Sequence, residues 1–137
     1  MDTAWPRHLP ATSVRFARPT TRLEACARFY RDVLGLEVLA EFRDHEGYDG
    51  VVVGLPDRSV QLELTQRAGA PAPPEPTPEH QLVFYVGDEH ALAGAEARLR
   101  GNGLAPVPPQ NPYWTRRGAR AFTDPDGWVV ILAPWTY

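Results

Sequence analysis

The chain has 137 residues, a formal net charge of −3, 43% hydrophobic residues and 23% charged residues, a size and composition typical of one globular domain. All 14 basic residues are arginine, and because they form no run or stripe, a nucleic-acid partner is not expected. A single cysteine excludes an internal disulfide. The sequence shows neither a secretory pattern nor an apolar run of the ~20 residues that cross a bilayer. We therefore predict a cytoplasmic protein without membrane contact.

The chain is expected to begin with an irregular arm over residues 1–12, followed by a strand and one helix. Thr21 and Glu24 form a T-x-x-E capping box, in which each side chain would accept a hydrogen bond from an otherwise free backbone N–H. Gly35 is expected to end the helix in the left-handed conformation. Between these ends, apolar residues recur at helical spacing and predict one buried stripe: Leu23, Ala27, Tyr30 and Leu34.

Strands are predicted on both sides of this helix. The segment "SVRFARP" precedes it, with Val14 and Phe16 expected to face the core, and "LEVLAEF", "GVVVGL" and "SVQLELT" follow it. The first half, about residues 13–66, therefore predicts a β-α-β-β-β module. Residues 67–79 contain five prolines, which exclude a helix or an inner strand and predict a semi-extended connector.

The second half, about residues 80–133, repeats this order. The segment "HQLVFYV" predicts a strand, and Asp88 is expected to cap a helix that ends at "GNG". The segments "RRGARAFT" and "GWVVIL" predict the last two strands. Prolines weaken the strand that is expected before these two. Neither module can bury both faces of its sheet alone. We therefore predict one α+β domain in which the two paired β-α-β-β-β modules form a cupped mixed sheet with helices outside and a ligand site on the concave face.

Two motifs, taken with this repeat, carry a resemblance to a known superfamily. The segments "ARFYRDVLGLEV" and "FTDPDGW", in this order, resemble the vicinal oxygen chelate superfamily, which includes glyoxalase I, extradiol dioxygenases and the fosfomycin- and bleomycin-resistance proteins; "NPYW" resembles a small bacterial subset. The resemblance covers about residues 13–133. It implies cups that are built or closed at subunit contacts in a homodimer. In the metal-dependent members, each module contributes two His or Glu ligands, one from its first strand and one from its last.

Side-chain alternation assigns the four ligand positions of such a site to Arg15, Glu63, Gln81 and Ile131. Only Glu63 has the chemistry of a ligand, because arginine cannot coordinate a cation, glutamine is a poor ligand for transition metals and isoleucine is none. His80 would enter the cup only if the strand register shifted by one, which would also turn Leu82 inward. We therefore expect no metal and no other cofactor.

Four tyrosine and tryptophan residues are further candidates for the ligand pocket. Alternation directs Tyr85 into the cup. Tyr113 and Trp114 lie ahead of the last hairpin, where they would either stack on a flat ligand at the rim or, in the case of Trp114, pack beneath the proline-rich loop. Tyr48, in the corresponding turn of the first module, has the same two alternatives.

Two functions fit these residues. In the first, the chain binds a small amphipathic or anionic molecule without a metal, as the resemblance to bleomycin-resistance proteins implies, and Arg15 holds an acid group of the ligand. In the second, it is a glyoxalase-, lyase- or dioxygenase-like enzyme with a reduced metal site, or with acid–base chemistry at Glu63, the candidate catalytic residue. For Arg15 and Glu63 themselves, the alternative is an internal salt bridge that binds nothing, and a third possibility for the chain is a structural or regulatory partner domain. Whether the chain is an enzyme stays open at this point.

Overall fold

A computed structural model describes residues 8–137 as two successive groups of strands and helices. The first group is β1 Val14–Pro19, α1 Leu23–Arg28, β2 Glu37–His45, β3 Tyr48–Gly54 and β4 Val60–Arg67. The second group is β5 Gln81–Tyr85, α2 Glu89–Gly101, α3 Pro112–Arg116, β6 Arg120–Thr123 and β7 Val129–Ala133. Of the predicted arm, residues 1–7 lie outside the described part of the chain, and residues 8–12 contain no helix or strand.

The strands form two mixed sheets, one for each module. The first sheet has the order β1-β4-β3-β2, with β1 and β4 parallel, and the second has the order β5-β7-β6, with β5 and β7 parallel. The strand that would complete the second sheet is reduced to a single bridge between Val107 and Ala121, because the prolines on either side of Val107 cannot donate to a ladder. The predicted α+β class is confirmed; the first module has the full β-α-β-β-β order, and the second follows the same order with one strand reduced to this bridge.

Both sheets bury one face in a common core with the helices. The first sheet contributes Val51, Val53, Leu62 and Leu64, the second contributes Leu82, Phe84, Phe122, Val130 and Leu132, and α1 and α2 lie against them. This alternation is the predicted one on β4, β5 and β7. The other face of each sheet therefore points away from the shared core, and the candidate ligand-binding residues lie on those outer faces.

The first helix begins differently from the prediction. Its N-cap is Arg22, without a side-chain cap, so the Thr21–Glu24 capping box is wrong. The amide of Leu23 instead donates to Gln66 Oε1 of β4 at 3.1 Å, because a neighbouring strand supplies the acceptor that the capping box would have supplied. The helix continues into a π-helical turn, Phe29–Val33, and then ends at Gly35 with a φ of +83°, as predicted.

The edge strand β1 is buried only at its C-terminal end. Val14 and Phe16 are 63% and 57% exposed, whereas Arg18 on the same face is 4% exposed. The parallel partner strand follows the same gradient, from Val60 at 50% to Leu64 at 0%. Val14 and Phe16 therefore point in the predicted direction, but they are not buried as predicted. The reason is that the common core covers only the C-terminal ends of β1 and β4.

Candidate functional site

A set of hydrogen-bonding side chains projects from β1 and β4 on the outer face of the first sheet. We call Arg15, Gln61, Glu63 and Thr65 the polar face. Arg15 Nε donates to Gln61 Oε1 at 2.9 Å, and its Nη1 lies 3.7 Å from Glu63 Oε1. The Arg15 side chain is 49% exposed and that of Glu63 is 17% exposed. The predicted charged pair therefore exists, at the protein surface rather than in a closed interior.

Apolar groups support the polar face from β2 and β3. Val52 lies directly opposite Glu63 and is buried. At Gly50 the Phe42 ring occupies the space that a side chain would fill, so the glycine allows the ring to lie on the sheet. Tyr48 is 41% exposed and lies four residues along the strand from Val52, about 13 Å away at the usual rise per residue. Tyr48 is therefore not brought together with Glu63.

The corresponding outer face of the second sheet is filled by the protein itself. Ile131 is 0% exposed and packs with small residues of β6 and β7 beneath Val107, Trp114 and Trp135. The indole Nε1 of Trp114 donates to Gln81 Oε1 at 3.0 Å. The two predicted site residues of this module, Gln81 and Ile131, therefore both lie against Trp114, which is itself partly buried. Stacking of Trp114 on a ligand stays a prediction.

Five aromatic residues form a layer over that face, which we call the aromatic cluster: Tyr85, Tyr113, Trp114, Trp135 and Tyr137. The Trp114 and Trp135 rings are nearly parallel, with their centroids 6.1 Å apart, and Tyr113 meets Trp114 edge-on at 5.0 Å. The C-terminal segment thus folds back onto the second sheet. Arg117, next to this layer, places its guanidinium carbon 4.1 Å from the centre of the Trp135 ring.

Helix α3 positions two members of the aromatic cluster and was not predicted. Asn111 caps it by accepting a hydrogen bond from the Tyr113 amide at 3.0 Å, and Pro112 occupies its first turn. An N-cap residue followed directly by proline is a recognised helix start. The sequence signal for this helix was therefore present in "NPYW". It was obscured because the helix contains only five residues after its N-cap, Asn111.

The predicted ligand positions do not fit a metal ion. Arg15 carries a fixed positive charge, Gln81 is engaged by Trp114 and Ile131 has no donor atom. His80 lies outside this group, with its ring centroid 5.4 Å from that of Trp128. Over residues 8–137, no three His, Cys, Asp or Glu side chains are grouped in a way that could hold a metal ion.

A buried ionic network, missed from the sequence, joins the two modules. Arg18 of β1 donates through Nη1 to Asp126 Oδ2 at 3.1 Å and through Nη2 to Asp124, and the Tyr30 hydroxyl donates to Asp124 at 2.7 Å. The guanidinium also lies 5.2 Å from the centre of the Trp128 ring. The "DPDG" turn therefore anchors the second module to the first strand. The sequence signal for this network was Arg18, a charged residue at a position of "SVRFARP" that alternation directs towards the core.

At neutral pH Cys26 and Tyr30 stay protonated and Asp126 stays ionised. Burial raises the pKa of the Cys26 thiol to about 11, although a hydrogen bond with Thr20 opposes this shift. Burial, followed by the negative charge of Asp124, raises the pKa of Tyr30 well above its usual value. Desolvation opposes ionisation of Asp126, but hydrogen bonds from Thr20, Cys26 and Arg18 outweigh it and lower the pKa. The contacts of Arg18 and Tyr30 with the "DPDG" turn therefore hold the two modules together.

A cleft of about 320 Å³ lies over this network at the junction of the two modules. Its walls include Phe16, Leu62, Leu82 and Trp128, and Arg18 lies at its floor. His80 lines this cleft and not the polar face, so the alternative register that would have made it a metal ligand does not occur.

The structure separates the predicted site residues into two groups. Arg15 and Glu63 meet on the polar face, Gln81, Ile131, Tyr85, Tyr113 and Trp114 meet on the second sheet, and Tyr48 lies apart from both groups. No hydrogen bond or ion pair among the described residues joins one group to the other. A common cup for both groups, and the role of each residue in binding, stay predictions.

Sequence and structure comparisons identify the family. The N-terminal domain of the YycE-like family matches residues 14–65, and the C-terminal domain of that family matches residues 79–134. The chain belongs to the YycE-like family. An uncharacterised family protein, YycE of Bacillus subtilis, is 42% identical over 122 residues, which cover 89% of this chain and 87% of that protein. A crystal structure of a YycE protein of unknown function from Bacillus subtilis has a TM-score of 0.86 at 40% identity and covers 93% of this chain and 92% of that one.

More distant structures show that the family has the vicinal oxygen chelate fold. Glyoxalase I of Leishmania major has a TM-score of 0.68 at 21% identity, covering 88% of this chain and 84% of its own. TnmS3, an antibiotic-binding protein from Streptomyces sp. CB03234, has a TM-score of 0.67 at 24% identity, covering 92% and 97%. These similarities concern the fold alone. In the described part of the chain, no helix has the length and apolar character needed to cross a membrane.

Proposed function

We propose that the chain is a metal-free, cytoplasmic binding protein that holds a small amphipathic or anionic molecule against the polar face of the first sheet. The observation that supports this most is the half-exposed Arg15, whose Nε and Nη1 groups are held by Gln61 and Glu63. Its Nη2 group has no partner among the described residues. A guanidinium that is oriented in this way can bind the carboxylate of a ligand with little loss of side-chain freedom.

The two outer faces differ in a way that suits an amphipathic ligand. The polar face offers charged and amide groups, whereas the aromatic cluster on the second sheet offers ring faces and edges. Ligand pockets combine a mostly apolar lining with a few placed polar groups. A cup that is formed from both faces would meet this requirement.

A homodimer would supply the missing wall of this cup. The polar face lies at the surface of one chain, and a ligand bound there needs a second wall to exclude water. Val14, Phe16 and Val60 form an exposed apolar patch on the core-directed side of the same edge strand and its neighbour, opposite the polar face, and such patches are frequent subunit contacts. A second chain that packs around this edge would lie next to the polar face. We expect Phe16→Asp to convert a dimer into a monomer in analytical ultracentrifugation; a wild-type chain that sediments as a monomer would contradict this part of the proposal.

Ligand binding is tested by a thermal-shift screen of small carboxylates and aromatic compounds in the presence of a chelator. A ligand at 100 times its Kd stabilises the folded state by about 2.7 kcal/mol. We expect Arg15→Ala to abolish the shift. Arg43→Ala is the matched control, since Arg43 lies 3.6 Å from Asp49 in an exposed pair of the same kind, and it should keep the shift. A shift that survives Arg15→Ala, or that requires added metal, would refute the proposal.

The alternative proposal is an enzyme in which Glu63 is the base. It is supported by the largely buried Glu63 carboxylate beside Arg15, because a neighbouring cation could stabilise negative charge that develops on a substrate. Glu63→Gln separates the two proposals. Turnover of a bound compound that is lost in this variant while binding remains would favour the enzyme, whereas binding without turnover in the wild type would favour the binding protein.

A further inference from the structure

Arg117 covers the ring of Trp135. Its guanidinium carbon lies 4.1 Å from the ring centre, and its Nη1 donates to the Tyr113 hydroxyl at 2.8 Å. Arg117 is exposed and Trp135 is only partly exposed. The planar guanidinium therefore occupies the position that a planar ligand would take on this indole.

The covering group and the covered ring differ in how firmly they are held. Trp135 stacks on Trp114 and packs on the inner residues of the second sheet, and its carbonyl accepts from the Gly87 amide at 3.3 Å. The exposed Arg117 side chain follows a five-residue helix and is held by one hydrogen bond to the Tyr113 hydroxyl and by contacts over two rings, that of Trp135 and, at 5.5 Å, that of Tyr113. An exposed cation thus lies over a packed aromatic platform.

The charges near the platform favour an anion. Neither Arg116 nor Arg117 takes part in an ion pair among residues 8–137, whereas the nearby Arg120 is paired with Glu96 at 3.2 Å. A carboxylate would replace the Tyr113 hydroxyl as the acceptor for Arg117, and hydrogen bonds between two ionised groups are stronger than those to a neutral group. A neutral ring would displace Arg117 from Trp135 without offering it a better acceptor.

We infer that Trp135 and Arg117 form a subsite for a planar aromatic anion, in which the ligand ring replaces the guanidinium on Trp135 and the acid group of the ligand binds the displaced Arg117. This inference rests on the proposed function and narrows its ligand class from amphipathic or anionic molecules to aromatic acids. Arg117 then favours negatively charged ligands over neutral ones. Only an acid group offers the displaced guanidinium a charged hydrogen-bond acceptor in place of its contact with the Trp135 ring.

The test compares 2-naphthoate with 2-naphthamide, which have the same ring system and differ in charge, by calorimetric titration of the full chain. We expect the wild type to prefer the acid, and Arg117→Ala to lower the ratio of the two affinities by about tenfold or more. Binding of the amide should be unchanged or tighter, since its ring no longer competes with the guanidinium. Arg116→Ala, which removes the adjacent exposed arginine, should leave the ratio unchanged.

Equal losses in the Arg116 and Arg117 variants would overturn the inference, because they would indicate a general effect of positive charge. Absence of naphthoate binding to the wild type would overturn it as well. Naphthoate binding that falls in Arg15→Ala but is indifferent to Arg117→Ala would overturn this inference and leave the proposed function standing. Conversely, naphthoate binding that depends on Arg117 but not on Arg15 would support the subsite and contradict the proposed role of the polar face.

Discussion

Replacement of Arg18 by methionine tests the network that joins the modules. The Arg18 side chain is 4% exposed and the Asp124 side chain is 0% exposed, so the variant would leave the buried Asp124 and the partly buried Asp126 without a cation. Breaking a buried ion pair in this way costs about 3–5 kcal/mol. For a chain of this length each kcal/mol lowers the Tm by about 3–4 °C, so we expect a decrease of about 9–20 °C.

The pH dependence of this loss provides a second readout. In the wild type the pKa of Asp126 is lowered on folding, so its stabilising contribution is present above the pKa of the unfolded chain, about 3.9, and is lost as the pH falls through the folded value. Without Arg18 the Asp126 carboxylate loses a cation that lowers its pKa, so it should take up a proton more readily as the pH falls. The difference between variant and wild type should therefore be large at neutral pH and should shrink as the pH falls below about 5.

Urea denaturation followed by circular dichroism measures both effects, with Arg43→Met as the control. Arg43 is 63% exposed and faces Asp49 at 3.6 Å, and loss of an exposed pair of this kind costs about 0–1 kcal/mol. Equal losses for Arg18→Met and Arg43→Met at neutral pH would refute the reasoning, since burial would then have no effect on the pair.

Three further predictions concern the polar face, the buried thiol and the aromatic cluster. Glu63→Gln should change the free energy of unfolding in urea by only about 0–1 kcal/mol, because its partner Arg15 is half-exposed and 3.7 Å away; a larger loss would place the pair in an interior. Cys26 should resist a thiol reagent at pH 8 in the native protein and react after unfolding, because it is 0% exposed and burial raises its pKa to about 11; rapid native labelling would contradict its position. Trp114→Ala should lower the free energy of unfolding by about 2–4 kcal/mol through lost packing on Ile131, and Trp114→Phe should lower it less. A Tm that is unchanged by Trp114→Ala would favour a position of Trp114 at the rim of the cup.

Much of the fold could be predicted because strand alternation depends on local sequence alone. On β5 and β7, alternation correctly predicts which side chains face the common core and which face outward. Ile131 lies on the predicted outer face. The exposure of Phe16 could not be predicted this way, because it depends on where the common core ends. The capping box failed for a related reason, since Gln66, distant in sequence, supplied the acceptor.

The site was predicted less completely than the fold. The pairing of Arg15 with Glu63 follows from strands that lie side by side, but alternation cannot show that the second sheet is covered by Trp114 and Trp135. That cover depends on α3 and on the C-terminal segment folding back over the sheet. The partners of Arg18 are more than a hundred residues away in sequence, so only the three-dimensional structure identifies them.

Metal content is the most direct test of the central claim, that the chain binds a small molecule at Arg15 and Glu63 without a metal. The untagged protein would be analysed as purified and then titrated calorimetrically with Ni²⁺, Zn²⁺, Fe²⁺ and Mn²⁺, with Glu63→Gln and His80→Ala as comparisons. We predict no stoichiometric metal and the same negligible heat for all three proteins. A tight, stoichiometric metal that is lost in Glu63→Gln would contradict the account and favour the enzyme with a reduced metal site.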